Sequence, residues 1–168
     1  MADRVIRILA ARAGELLLVS GRTVAVAESC TGGKLCEALT SVPGCSAYFL
    51  GGIVAYGNES KTRDLAVPST LLGSRGAVSR EVSEAMAAGA VRRFGADIGI
   101  GTTGIAGPGG GSPEKPVGTV YVSIVSGEVR LSDHLRLPGD RDAVREATVR
   151  RVLEMLVSYL SGGEGEGE

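Results

Sequence analysis

Three stretches of this chain carry residue types able to do chemistry. The first is Ala27-Glu28-Ser29-Cys30-Thr31-Gly32-Gly33, in which hydroxyls and a thiol follow the apolar, β-branched run 23–27 and precede a glycine-opened helix. A serine at a strand-to-helix turn stands where nucleophilic serines stand, because unpaired N–H groups at the start of a helix can stabilise a developing oxyanion. The same pattern equally suits Ser29 or Thr31 as a plain helix cap. Cys30 is a rival nucleophile by residue type, and just as readily a small buried hydrophobe.

A serine nucleophile needs a base. The single histidine, His134, lies in the alternating run Ser132-Asp133-His134-Leu135-Arg136, which reads as an exposed edge strand. Arginine occurs 15 times and cannot surrender its proton, which leaves Lys34, Lys61 and Lys115 as possible neutral amines. Lys61 follows Tyr56-Gly57-Asn58-Glu59-Ser60 at the start of a helix. Burial and a helix N-terminus would both lower its pKa from the usual ~10.4. A solvated helix lysine is the other reading of the same spacing.

The third stretch runs from Thr102 to Pro116 and is dense in glycine and proline. It overlaps Gly99-Ile100-Gly101-Thr102-Thr103-Gly104, a G-x-G-x-x-G after a strand. No helix follows, so the match to a dinucleotide fingerprint is read as chance. What remains is a stiff loop whose backbone N–H groups can approach an anion such as phosphate.

The elements that must position these groups alternate. Helical periodicity covers residues 3–20, with Val5, Ile8, Leu9, Leu16 and Val19 as its apolar side. A strand at 23–27 is followed by a helix to about Thr40. A second strand spans 47–56, where paired glycines suggest a bulge or a close backbone approach. Asn58 is placed as the cap of a short helix to about Leu65, and Ser69 opens another. Ser79 caps a helix to Phe94 with Val82, Met86, Ala90 and Val91 inward. A strand at 98–103, the loop, a hairpin over 118–125 and 129–137, and a helix from Asp140 to about Leu160 complete the chain. The last helix is expected to turn Val144, Ala147, Val152, Met155 and Leu156 inward. These readings give an α/β domain, a three-layer α/β/α arrangement with a mixed sheet, over 1–160. A Gly/Glu tail at 161–168 is expected to be disordered.

Composition narrows the function classes. The 168 residues suit one domain, and a net charge of −1 draws the chain toward neither nucleic acid nor an anionic membrane. One histidine and three cysteines without a Cys-x-x-Cys pair argue against a metal site, and nothing calls for a cofactor. An odd cysteine count suits a reducing cytoplasm. No apolar run approaches the ~20 residues of a membrane span.

Taken in order, these motifs resemble one family, the C-terminal domain of the competence/damage-inducible protein CinA, which also occurs alone as a nicotinamide mononucleotide amidase. The matching residues are Ala27-Glu28-Ser29-Cys30-Thr31-Gly32-Gly33, Gly52-Ile53-Val54-Ala55-Tyr56 with Asn58 and Lys61, Gly76-Ala77-Val78-Ser79, Gly104-Ile105-Ala106-Gly107-Pro108, Glu114-Lys115-Pro116-Val117-Gly118-Thr119-Val120 and Gly139-Asp140-Arg141. The resemblance implies hydrolysis of the carboxamide of nicotinamide mononucleotide, with Ser29 as nucleophile, Lys61 as base and Tyr56 polarising the pair or holding the lysine. It further implies oxyanion N–H groups near Thr31, Gly32 and Gly33. Ribose and phosphate contacts are expected from the loop with Thr103, Gly104, Gly107, Gly109 and Gly110 and from Arg141, and Asn58 is expected to bind substrate. A homodimer is expected on the same ground. Where the family commonly carries serine this chain has Gly57, so a hydrogen bond near the pair is expected to be missing. A nucleotide-binding module of a competence or DNA-damage response, with little or no catalysis, is the alternative, and hydrolysis of another small amide is a third reading.

Overall fold

The computed structural model describes residues 2–162. Five strands form one sheet in the order β2-β1-β3-β4-β5, where β1 is Val24–Glu28, β2 Phe49–Val54, β3 Ile98–Gly104, β4 Thr119–Ser126 and β5 Val129–Arg136. β2, β1 and β3 are parallel, and β4 and β5 add antiparallel, so the sheet is mixed as expected. The interior strand β1 is buried along its whole length, which is why it reads as a continuous apolar run with no alternation.

Six helices cover the two faces. On one side α1 (Ala2–Ser20), α2 (Lys34–Thr40) and α6 (Arg141–Leu160) close a core over Val24, Val26, Ile98, Ile100, Val122 and Ile124. On the other, α3 (Asn58–Leu65), α4 (Ser69–Arg75) and α5 (Arg80–Phe94) pack over Ala25 and Ala27 through Leu65, Val82, Met86 and Ala90. The result is the three-layer α/β/α arrangement. Of the tail placed at 161–168, residues 163–168 lie outside the described residues.

Small residues decide how close the layers come. Side chains at Gly99 and Gly101 of β3 would run into the Ala87 and Ser83 carbonyls of α5, so these two glycines let a helix lie against the sheet. That is the physical content of the G-x-G-x-x-G match, and no helix follows it. At 51–52 both expectations hold: the β1–β2 register shifts between Val24 and Ala25, and side chains at Gly51 and Gly52 would collide with Phe94 and Cys36.

Two helix readings are corrected. In α1 the buried residues are Ala10, Ala13, Gly14 and Leu17, while Val5, Ile8 and Val19 are exposed on the opposite side of the helix. The small stripe lies where α1 packs against α6 and the buried Tyr48, and a Cβ at Gly14 would run into the Tyr48 ring. In α6 Ala147 and Met155 are only half-buried, and Thr148, Val149 and Leu153 take the inner positions beside Val144, Val152 and Leu156. Ser79 and Asp140 do cap α5 and α6, accepting from the N–H groups of Val82 and Ala143.

Candidate active site

The C-terminal ends of the parallel strands carry the turns that hold the site. Ser29 follows β1 directly, and its N–H donates to the Thr102 carbonyl of β3 (3.0 Å). Whether Ser29 or Thr31 is merely a cap is answered by what caps α2. The buried Glu28 carboxylate accepts from the N–H groups of Gly33 (3.1 Å), Leu35 (3.1 Å) and Cys36 (2.8 Å). Thr31 and Thr102 instead share a hydrogen bond between their hydroxyls (2.8 Å). The Ser29 hydroxyl is thereby left free of the helix.

It meets Lys61. Nζ of Lys61 lies 3.1 Å from Ser29 Oγ and donates to the carbonyls of Ala55 (2.8 Å) and Tyr56 (3.0 Å). Lys61 closes the first turn of α3 and is 1% exposed, so it is not a solvated helix lysine. Burial pulls its pKa below the ordinary lysine value. Two carbonyls accept two amine protons, and a neutral amine then has its lone pair left for the serine hydroxyl. Cys30 is 3% exposed, and burial pushes its thiol up to about 12, so it stays protonated beside the pair.

The structure redistributes several expected roles. Tyr56 holds the lysine through its backbone carbonyl, while its hydroxyl accepts from Arg141 (2.7 Å). The N–H groups of Gly32 and Gly33 are taken, by the Ser29 carbonyl (3.1 Å) and by Glu28. Of the N–H groups expected there, only that of Thr31 has no acceptor among the described residues, and the neighbouring N–H of Cys30 is open in the same way. Gly32 and Gly33 instead supply two successive left-handed turns, at φ 58° and 95°, which a side chain would strain. Asn58 is the first residue of α3 and not its cap, which is Gly57. It lines a cleft of about 660 Å³ with Thr62, Ser69 and Leu72 that contains neither Ser29 nor Lys61. Thr103 is buried and donates to the Ala77 carbonyl (2.8 Å), so its hydroxyl serves the turn before α5.

The glycine-rich loop leaves the end of β3. Gly104 pairs with Val120, Gly107 is buried under Val117, and Gly109 and Gly110 are exposed at its tip. Arg141, the first residue of α6, donates to the Gly107 carbonyl (2.8 Å) and so joins this loop to Tyr56. Three further groups carry the geometry without having been assigned a role from sequence: Glu28, Thr102 and Arg145. Arg145 donates to the Thr31 carbonyl (3.0 Å), and its Nε is buried with no partner among the described residues. One turn from Arg141, it shares that helix face, a spacing that could have found it.

A buried amine against a freed serine hydroxyl, with open N–H groups next in the chain, suits acyl transfer from an amide or ester. The sequence model of the CinA C-terminal domain matches residues 6–160. This chain belongs to that family. It is 50% identical over 149 residues to the nicotinamide-nucleotide amidohydrolase PncC of Pseudomonas putida, covering 89% of this chain and 93% of that one. It is also 53% identical over 146 residues to a CinA-like protein of Citrifermentans bemidjiense, but spans only 35% of that longer relative. The crystal structure of the competence/damage inducible protein CihA from Agrobacterium tumefaciens superposes with a TM-score of 0.90 at 42% identity, over 94% of this chain and 96% of that one. Among the described residues no helix is long and apolar enough to cross a membrane. No group of three or more His, Cys, Asp or Glu there could hold a metal ion.

Proposed function

We propose that this CinA-family domain is an amidohydrolase that converts nicotinamide mononucleotide to nicotinic acid mononucleotide and ammonia through a Ser29–Lys61 pair. The observation that carries this reading is the 3.1 Å contact between Lys61 Nζ and Ser29 Oγ, made by a buried lysine whose other two contacts are carbonyls. The similarity to the Pseudomonas putida amidohydrolase supports the substrate.

In this mechanism the neutral Lys61 amine takes the Ser29 proton as Oγ bonds to the carboxamide carbon. The oxyanion is met by the N–H groups of Cys30 and Thr31. Lys61 then gives the proton to the amide nitrogen, the C–N bond breaks and ammonia leaves. Lys61 next takes a proton from water as its oxygen attacks the acyl carbon, and returns it to Ser29 Oγ as the acid departs. Arg141 and Arg145, one turn apart on α6, supply the positive charge for the phosphate, and the loop over 104–110 supplies backbone contacts.

Gly57 is the N-cap of α3 without a side chain to accept from its first turn, and a Cβ there would meet no heavy atom within 4 Å, so we read the missing hydroxyl as a lost cap and not as a lost contact with the pair. A cytoplasmic location and a homodimer belong to the same reading, and light scattering on the purified chain reads the second. The deciding experiment is ammonia release from nicotinamide mononucleotide, with Lys61→Ala as control. No turnover at micromolar enzyme would favour the binding-module reading.

A further inference from the structure

A second cleft, of about 470 Å³, opens on the α5 face of the sheet. Ser83 and Glu84 of α5 cover β4 and β5 through the hydroxyls of Ser123 and Ser132. Two residues further along each strand, Tyr121 and His134 lie beyond the start of the helix and are left uncovered. The missing helical turn is the cleft.

Its walls are cationic. Arg75, Arg80 and Lys115 face it with one carboxylate, Glu81, which pairs with Arg75 at 3.4 Å. The net charge of these four side chains is therefore +2, in a chain whose total is −1. The Arg80 guanidinium, at the first position of α5, has no hydrogen-bond or ion-pair partner among the described residues. Lys115 Nζ donates to the carbonyls of Arg75 (3.1 Å) and Val78 (2.6 Å), which fixes the ammonium in place and leaves one proton unused. The floor is aromatic: the rings of Tyr121 and His134, register partners on β4 and β5, stack at 4.4 Å and 8°. His134 is on the edge strand, so the outer face of this stack is open.

We propose that this cleft binds a nucleoside diphosphate, with the base extending the Tyr121–His134 stack and the diphosphate between Arg80 and Lys115. The volume suits a ligand of that size. Two cations left after the Arg75–Glu81 pair match two phosphates. An open aromatic face favours a planar ring. None of the residues that line the cleft belongs to the Ser29–Lys61 site, and β3 stands between β4 and the strand that carries Ser29.

The test is calorimetric titration of the full chain with ADP and, separately, with inorganic pyrophosphate. ADP is expected to bind once per chain, and pyrophosphate about tenfold more weakly for want of the ring. Arg80→Ala and His134→Ala should each weaken ADP about tenfold. Both residues are exposed, and an unchanged melting temperature would show that each variant folds. Arg141→Ala should leave ADP binding unchanged. The proposal is overturned by no ADP binding at millimolar ligand, by affinity unchanged in both cleft variants, or by affinity lost with Arg141→Ala, which would put ADP in the Ser29 site. Pyrophosphate binding as tightly as ADP would overturn the assignment to a nucleotide.

Discussion

Lys61 Nζ lies 3.1 Å from Ser29 Oγ across 32 residues of sequence, and both groups are buried. Three elements make the contact: β1 ends at Glu28, α3 begins at Asn58, and the Ala55 and Tyr56 carbonyls after β2 anchor the amine between them. Replacing either side chain should remove the reaction. Lys61→Met is expected to lower kcat for ammonia release by about 100- to 10,000-fold, the usual range for a general base. Ser29→Ala should lose at least as much, and the double variant no more than Ser29→Ala alone, because the two act as a unit. Cys30→Ala should stay active. Activity surviving in Ser29→Ala and lost in Cys30→Ala would reassign the nucleophile.

The lowered pKa of Lys61 sets a pH dependence. Turnover needs the neutral amine, so kcat/KM should rise with pH through an acid limb whose midpoint lies below the ordinary lysine value of about 10.4. Stability follows the same sign. Between the folded pKa and ~10.4 the unfolded chain binds more protons at this site, so stability rises with pH across that window and is lost as pH falls through the folded pKa. In Lys61→Met this contribution should vanish, a difference that urea unfolding at several pH values would read.

Gly57 caps α3 with φ −86° and ψ 159°, an ordinary extended conformation with open space around it. Gly57→Ser adds a hydroxyl able to accept from an orphan N–H of the first turn. A gain of a few tenths of a kcal/mol is expected, measured as a small rise in Tm. An unchanged rate of ammonia release would confirm that the position acts on the helix and not on the Ser29–Lys61 pair.

Gly101→Ala tests why β3 is glycine-rich. Its Cβ would meet the Ser83 carbonyl, a backbone atom of a packed helix that cannot rotate away. The helix must shift, at a cost of about 1–3 kcal/mol. A drop of that size in the urea-derived stability is the expected result.

Most of the scaffold was legible because its elements announce themselves locally: the β-branched run of β1, the Ser79 and Asp140 caps, and the antiparallel hairpin each follow from neighbouring residues. Helix α1 hides its packed side from periodicity because that side is built from Ala10 and Ala13, and small residues carry little signal beside exposed Val5 and Ile8. In the site, Ser29 and Lys61 were reachable through residue chemistry and family resemblance. That the Gly32 and Gly33 N–H groups are occupied is not legible in the sequence, because their acceptors, the Ser29 carbonyl and Glu28, depend on the fold of the turn. Thr102 was missed for a related reason. Its hydroxyl reaches Thr31 only because β3 lies beside β1 with Glu28 opposite Thr102, a register no local pattern encodes.

Glu28 offers the sharpest separation of structure from chemistry. Its carboxylate satisfies three N–H groups at the start of a seven-residue helix that is too short to stand by itself. Glu28→Ala leaves those donors without an acceptor in a buried turn, which should cost about 3 kcal/mol or more. The same turn sets the backbone of Ser29, Cys30 and Thr31, so kcat should fall even where the variant remains folded. Glu28→Gln keeps one carbonyl oxygen and points an amide at the remaining donor, so it should fall between the two in both stability and rate. A variant that lost stability and kept full kcat would show that the N–H groups proposed for the oxyanion are positioned by something other than the Glu28 cap.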